Sequence, residues 1–348
     1  MTQIEDMKNE KGAWLFVVPV SGLTLTKSVS EEISIDKITF VSRSRLPRVR
    51  KRLGFPVTVG ELKTTKMSSG FFEVSDVCAV AKLGGIGAVQ EKAFLDAAKD
   101  ELAILSLSQL GYARRRHNAC LSISSENRPG FLEYFMMNTV KRSWALQHRL
   151  SGRFNTLVLD KKWKKYQKFS FFYELLRLLN GRYNVTSGWK RDIRNAAVLA
   201  GQSQSSSDLP HAFLWNMIAI ETLLTHQGDS YSVALPKRVE AFIGWTTDWS
   251  VRNFESKIEE VYKKRCAFVH AGKSDGLRIE DVLFTDVLLV NIFYNILKHI
   301  SMFETKEKLI EFSRKVEAEH VLGAKPNVRP KTVSFISMRY SDKDYENI

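Results

Sequence analysis

The chain has 348 residues, 44% of them hydrophobic and 26% charged, with 19 glycines and 8 prolines. Those values exclude a collagen-like or disordered chain and leave room for two domains of ordinary size. The formal net charge of +14 favours encounters with polyanions, either nucleic acid or anionic membrane.

The first residues, MTQIEDMKNEKG, are polar and carry acids, so they do not read as a secretory signal. Residues 13–80 read as strands. Residues 13–20 are continuously apolar, residues 33–41 alternate through Ile33, Ile35, Ile38 and Phe40, and residues 71–80 form a third run. Gly84-Gly85-Ile86-Gly87 reads as a flexible turn, since it lacks the Lys-Ser/Thr of a phosphate-binding loop. A helix is expected over residues 91–110, with Phe94, Leu95, Ala98, Leu102 and Leu105 on one face and Gly111 closing it. Strand-like runs follow at 119–123, 131–140 and 154–159. Residues 1–160 are therefore expected to form a mixed α+β domain, whose role the sequence does not give.

From Lys161 the texture becomes helical. Helices are expected over residues 163–179, 190–200, 208–225, 251–272, 279–304 and 305–317, with GQSQSSS (201–207) as a polar linker. Asp208 and Pro210 mark the start of the third of these. Asn291, Asn295 and His299 recur every four residues and read as a solvated stripe, with a cleft lining as the alternative. Residues 161–322 are expected to be an all-α bundle and 323–348 a polar tail. The most apolar long stretch, 284–303, is interrupted by Asp286, Asn291, Asn295, Lys298 and His299, so no membrane span is expected. Cys78, Cys120 and Cys266 are odd in number and widely spaced, which suggests neither a disulfide framework nor a zinc site. A cytoplasmic protein without metal or cofactor is the expectation.

Two segments of the helical half carry chemistry: HAFLWNMIAIETLLTH (211–226) and VYKKRCAFVHAGK (261–273). Arg265 and His270 stand in an Arg-x4-His arrangement. RNA supplies its own nucleophile, the 2′-OH. Its cleavage needs a group that moves protons near neutral pH, which histidine does, and a fixed cation for the charge on phosphorus, which arginine offers as a planar fork. Glu221 lies in an apolar run and needs a partner if buried; Arg265 or His270 is the expected one. The alternatives are that Arg265 only pairs with Glu259 or another surface acid and that His270 is simply a cation favoured at a helix C-terminus. On a regular helix, residues five apart point roughly 140° from each other, so Arg265 and His270 share a face only if the helix distorts or two chains combine.

These segments resemble the Apea-like HEPN family of ribonucleases. Its pattern is met by Ala219-Ile220-Glu221-Thr222-Leu223-Leu224 and by Tyr262…Arg265…His270-Ala271-Gly272. The glycine is displaced by one residue, and Cys266 stands where characterised members often carry Asn, Asp or His. The likeness covers roughly residues 205–305. It implies a metal-independent endoribonuclease giving 2′,3′-cyclic phosphate and 5′-hydroxyl ends. His270 would be its acid or base, Arg265 its cation, Glu221 an orienting group and Tyr262 a lesser one. It also implies a homodimer with paired motifs in a cleft, and a role in prokaryotic stress, toxin or anti-phage defence. The competing reading is a non-catalytic RNA-binding or dimerising scaffold.

Three basic clusters accompany the motif. Arg43, Arg45, Arg48, Arg50, Lys51 and Arg52 read as a loop or irregular edge that contacts RNA phosphates, or else as a solvated loop. Arg114, Arg115 and Arg116 form a second RNA-binding candidate. In the third, Lys161, Lys162, Lys164, Lys165 and Lys168 interleave with Trp163, Tyr166 and Phe169. Those rings either stack on bases or form the buried face of a helix with the lysines outside.

Overall fold

The computed structural model describes residues 11–54, 76–123, 131–138, 143–150, 155–243 and 254–322. The expected tail, 323–348, lies outside them. The chain divides into two compact units, residues 1–102 with 117–161, and residues 103–116 with 162–348. Residues 103–116 thus group with the helices, whereas the sequence placed everything before 161 in the first domain.

The first unit is α+β. Its main sheet has the order β3-β4-β5-β1-β6, from β1 (Lys11–Ser21), β3 (Glu32–Ser34), β4 (Thr39–Ser42), β5 (Val77–Ile86) and β6 (Ser122–Ile123). β1 and β5 pair antiparallel from Lys11↔Ile86 to Val20↔Val77. Short β2 (Leu23–Leu25) pairs in parallel with β9 (Leu157–Leu159), and β7 (Phe131–Asn138) pairs antiparallel with β8 (Ser143–Leu150). Alternation along β1 serves the two sheet faces. Leu15 and Val17 pack beside Val41, Leu46, Val49, Cys78 and Val80, the side taken by α1 (Leu46–Arg52). Phe16 faces the other way and stacks on Phe94 of α2 (Gly87–Leu107), ring centroids 5.2 Å apart. Burial pushes the Cys78 thiol up to about 11.

Three expectations change in this unit. The alternating run 33–41 is a hairpin, β3-turn-β4, and the buried carboxylate of Glu101 in α2 explains the turn. It accepts from the N–H groups of Asp36, Lys37 and Ile38 at 3.0, 2.9 and 3.0 Å. Desolvation raises its pKa, and those three N–H groups work in the opposite direction. The glycines at 84 and 85 are not a free turn. They lie within β5, just before its last residue Ile86, paired with Ala13 and Gly12, and the Trp14 indole N–H donates to the Gly85 carbonyl at 2.9 Å. The basic run of 43–52 is not a loop: Leu46, Val49 and Leu53, three and four residues apart, give α1 an apolar side.

Among the described residues the second unit is mainly helical: α3 (Lys161–Phe169), α4 (Phe172–Leu179), α5 (Ser187–Ser205), α6 (Leu209–Leu224), α7 (Tyr231–Ile243), α8 (Phe254–Ala271), α9 (Ile279–Lys298) and α10 (Lys306–Leu322). The expected helix 163–179 is broken at Ser170-Phe171, where Phe171 is buried and stacks on Phe293 at 5.3 Å. Helix α7 was not foreseen, and it holds Pro236 in its interior. The supposed linker 201–207 is mostly the last turn of α5. Gly201 is there because a Cβ would lie 1.7 Å from the Ala103 carbonyl oxygen. Phe242, Phe303 and Phe312 form one ring cluster, with centroids 5.3–5.9 Å apart. No helix among the described residues is long and apolar enough to cross a membrane.

Candidate functional site

Helix α6 starts where the sequence places it. The Asp208 side chain accepts from the His211 N–H at 3.1 Å, and Pro210 sits in the first turn. Its inner face buries Phe213, Met217, Ile220, Leu223 and Leu224, and with them Glu221. Helix α8 lies against α6 and is also tied to α9: the Lys264 ammonium donates to both oxygens of the buried Asp281, at 3.0 and 2.9 Å. Asp281 in turn accepts from the Arg278 N–H at 2.9 Å, at the start of α9.

Between α6 and α8 stands the pair expected from the sequence. Arg265 Nη2 donates to Glu221 Oε2 at 3.0 Å, with side chains 17% and 8% exposed. Glu259 is not the partner. Glu221 Oε1 and Arg265 Nε are buried and make no hydrogen bond among the described residues. The pair therefore holds a buried acceptor and a buried donor that no described residue satisfies. Burial raises the Glu221 pKa, and the Arg265 charge and hydrogen bond pull it back. Tyr262 lies one turn before Cys266 on α8 and hydrogen-bonds to it. Desolvation first, then Cys266 and the Glu221 charge, push its hydroxyl up to about 12, against the Arg265 charge.

Glu221, Arg265, Tyr262 and Cys266 are thus one cluster. His270 is not part of it. It sits exposed in the last turn of α8, about 7.5 Å further along the axis and roughly 140° around it from Arg265. The helix does not distort to bring the two onto one face. It ends just beyond, at Gly272, whose φ of 63° is the left-handed conformation glycine takes without strain. The Gly272 and Lys273 N–H groups donate to the carbonyls of Phe268 and Ala267. On the neighbouring end of α6, the His211 ring meets Phe268 and Trp215, each at 5.9 Å, and His211 Nδ1 lies 3.0 Å from Asp208. The i, i+4 spacing of His211 and Trp215 on α6 is the one sequence signal of this contact.

The basic candidates divide. Arg45 and Arg52 are held by Glu32, at 3.3 and 2.5 Å, and Arg43 lies 4.0 Å from Asp76. Glu32 raises the Arg52 pKa through its hydrogen bond. Arg48 and Lys51 are exposed on α1, and Arg50 is half-buried. Arg114 is exposed and Arg116 half-buried. Arg115 cannot meet RNA: it is fully enclosed, donating to Asp286 at 2.9 and 3.1 Å and to the carbonyl and hydroxyl of Ser203 at 2.6 Å each. The asparagines of α9 are not a solvated stripe either. Asn291 and Asn295 are buried, donating to backbone carbonyls that include Val287 and Phe242. Among the described residues, no group of three His, Cys, Asp or Glu is placed to hold a metal ion.

No family model fits this chain, and neither a curated protein nor a solved structure is similar to it.

Proposed function

We propose that the chain is a metal-independent endoribonuclease of HEPN type. The observation that carries the reading is the Arg265–Glu221 pair. It joins two sequence segments 44 residues apart and holds a guanidinium that stays 17% exposed, close to Tyr262. In the proposed reaction the 2′-oxygen attacks phosphorus and the bond to the 5′-oxygen breaks. The proton of the 2′-OH passes to a base, and an acid protonates the leaving 5′-oxygen. The ends are a 2′,3′-cyclic phosphate and a 5′-hydroxyl. His270 supplies acid or base, and Arg265, oriented by Glu221, stabilises the charge on phosphorus.

Because His270 and Arg265 diverge on α8, the proposal needs two copies, with His270 of one facing the Arg265 of the other across a symmetric interface. Half-buried Leu214, Trp215, Ile218 and Phe268, and Val269 at 46% exposure, offer apolar surface for it. Light scattering at micromolar concentration is expected to give the mass of a dimer. A monomer with full nuclease activity would contradict this arrangement. The cytosol is the proposed compartment, on the odd number and wide spacing of the three cysteines.

The direct test is incubation with total cellular RNA in excess chelator. Cleavage is expected to persist, since histidine and arginine do the chemistry. Activity lost to chelation and restored by a divalent ion would sink the mechanism. Intact RNA under all conditions would leave the scaffold reading.

A further inference from the structure

Helix α3 turns its lysines outward together with an aromatic ring. At 100° per residue, Lys162, Lys164, Lys165, Lys168 and Phe169 fall within an arc of about 160°. Trp163, Tyr166 and Gln167 fall on the other side. Burial agrees with the wheel: the four lysines are exposed, while Trp163 and Gln167 are enclosed. That inner side is fixed to the unit's own core. The Trp163 indole donates to the Ser108 hydroxyl at 3.1 Å, and Gln167 Nε2 to the Ser108 carbonyl at 2.7 Å. Tyr166 packs on Tyr112, with centroids 5.4 Å apart. Two of the three rings in the basic cluster are therefore core, as the plainer sequence reading had it. Phe169 is not. At 72% exposure it is the most exposed large apolar side chain among the described residues.

We propose that this face of α3 is a docking surface for single-stranded nucleic acid, the lysines taking phosphates and Phe169 stacking on a base. Charge complementarity selects a polyanion. Lys162, Lys165 and Lys168 pair with no acid among the described residues, so contact with phosphates displaces only counterions. The lone ring selects the kind of polyanion. A helix that lies in a membrane surface inserts a broad apolar face opposite its cations. Here that opposite face is already spent on Ser108, Tyr112 and the core, and a single Phe amid lysines is left. One aromatic among cations is the arrangement that single strands use, with a ring for a base and a charged track for the backbone. The span of residues 162–169, roughly 12 Å, suits a short run of nucleotides rather than a long groove. The proposal deepens the ribonuclease reading and rests on it only for the choice of RNA as the natural strand.

The test measures binding of the full chain to a short fluorescein-labelled oligothymidylate by anisotropy across a salt titration. This probe has no 2′-OH, so it cannot be cleaved by the proposed chemistry, and binding is read apart from activity. Phe169→Ala is expected to weaken binding about tenfold while leaving the salt slope unchanged. The combined change Lys162→Gln, Lys165→Gln, Lys168→Gln is expected to flatten the slope of log affinity on log salt by about 2, at roughly 0.7 per phosphate contact. All of these side chains are exposed, so melting temperatures should stay at the wild-type value. Wild-type affinity and slope in both variants would overturn the proposal. So would binding to vesicles of equal phosphatidylserine and phosphatidylcholine, lost in the triple variant, without binding to the oligonucleotide. Failure of RNA cleavage with these binding effects intact would sink the nuclease reading alone.

Discussion

Asp286→Ala is expected to destabilise the helical unit by about 3–5 kcal/mol, the range found when one partner of a buried ion pair is removed. Asp286 and Arg115 have side chains 1% exposed. Asp286 Oδ1 accepts from Arg115 Nη2 at 3.1 Å, Gln204 Nε2 at 2.9 Å and Asn216 Nδ2 at 2.8 Å, while Oδ2 takes the Arg115 Nε at 2.9 Å. Alanine would leave an enclosed guanidinium with neutral acceptors on Ser203 and no counter-charge, and would remove one acceptor each from Gln204 and from Asn216, which keeps Thr285 Oγ1 at 2.9 Å. Against a typical total of about 5–15 kcal/mol, that loss leaves a substantial unfolded fraction. Urea denaturation checks the figure. Asp275→Ala, at an exposed position, should change stability by less than about 0.5 kcal/mol. Asp286→Leu combined with Arg115→Met should recover much of the loss, because the cost comes from the orphaned charge rather than from the missing contact. A loss below about 1 kcal/mol in Asp286→Ala would show that water reaches Arg115 and that the network does not hold the fold.

The same network marks where the sequence stopped being legible. Periodicity and caps placed α6 to within a residue, because Asp208, Pro210 and the apolar spacing act locally. The Glu221–Arg265 pair was also within reach: a carboxylate in an apolar run requires a partner, and few cations were near in pattern. Arg115 gave no such sign. Its partner is 171 residues away, and between Arg114 and Arg116 it reads as one of a surface cluster. Ser203 and Gln204 read as linker for the same reason, since polar side chains pass for solvated until their acceptor is known. Asn291 and Asn295 misled likewise by donating to buried carbonyls. The turn inside 33–41 was hidden because Glu101, 63 residues beyond Ile38, sets it. What local chemistry fixes was readable; what a distant polar partner fixes was not.

His270→Ala is expected to lower RNA cleavage by roughly 10²–10⁴-fold while leaving fold and RNA binding unchanged. This is the clean variant, because His270 is exposed and no hydrogen bond or ion pair to it is found among the described residues. Arg265→Ala should abolish cleavage as well, but not without cost to stability. It would leave the buried Glu221 carboxyl with no cation, and its pKa, already raised by burial, would rise further. The sign of the pH dependence follows. A carboxyl whose folded pKa lies above its unfolded value of about 4.3 favours folding most when protonated, so Arg265→Ala should lose stability as pH rises from there through the folded pKa. Arg265→Lys keeps a charge near Glu221 but not the planar fork. It should therefore recover stability and still fail to cleave. Pairing His270→Ala with Arg265→Lys should be little worse than either alone, since groups that act on one transition state are not additive. Melting temperature and cleavage rate on the same proteins separate the roles. If His270 only offers its charge to the end of α8, its loss should cost no more than about 1 kcal/mol and leave the rate untouched. Full cleavage by His270→Ala would end the nuclease proposal and leave a helical scaffold held by Glu221 and Arg265.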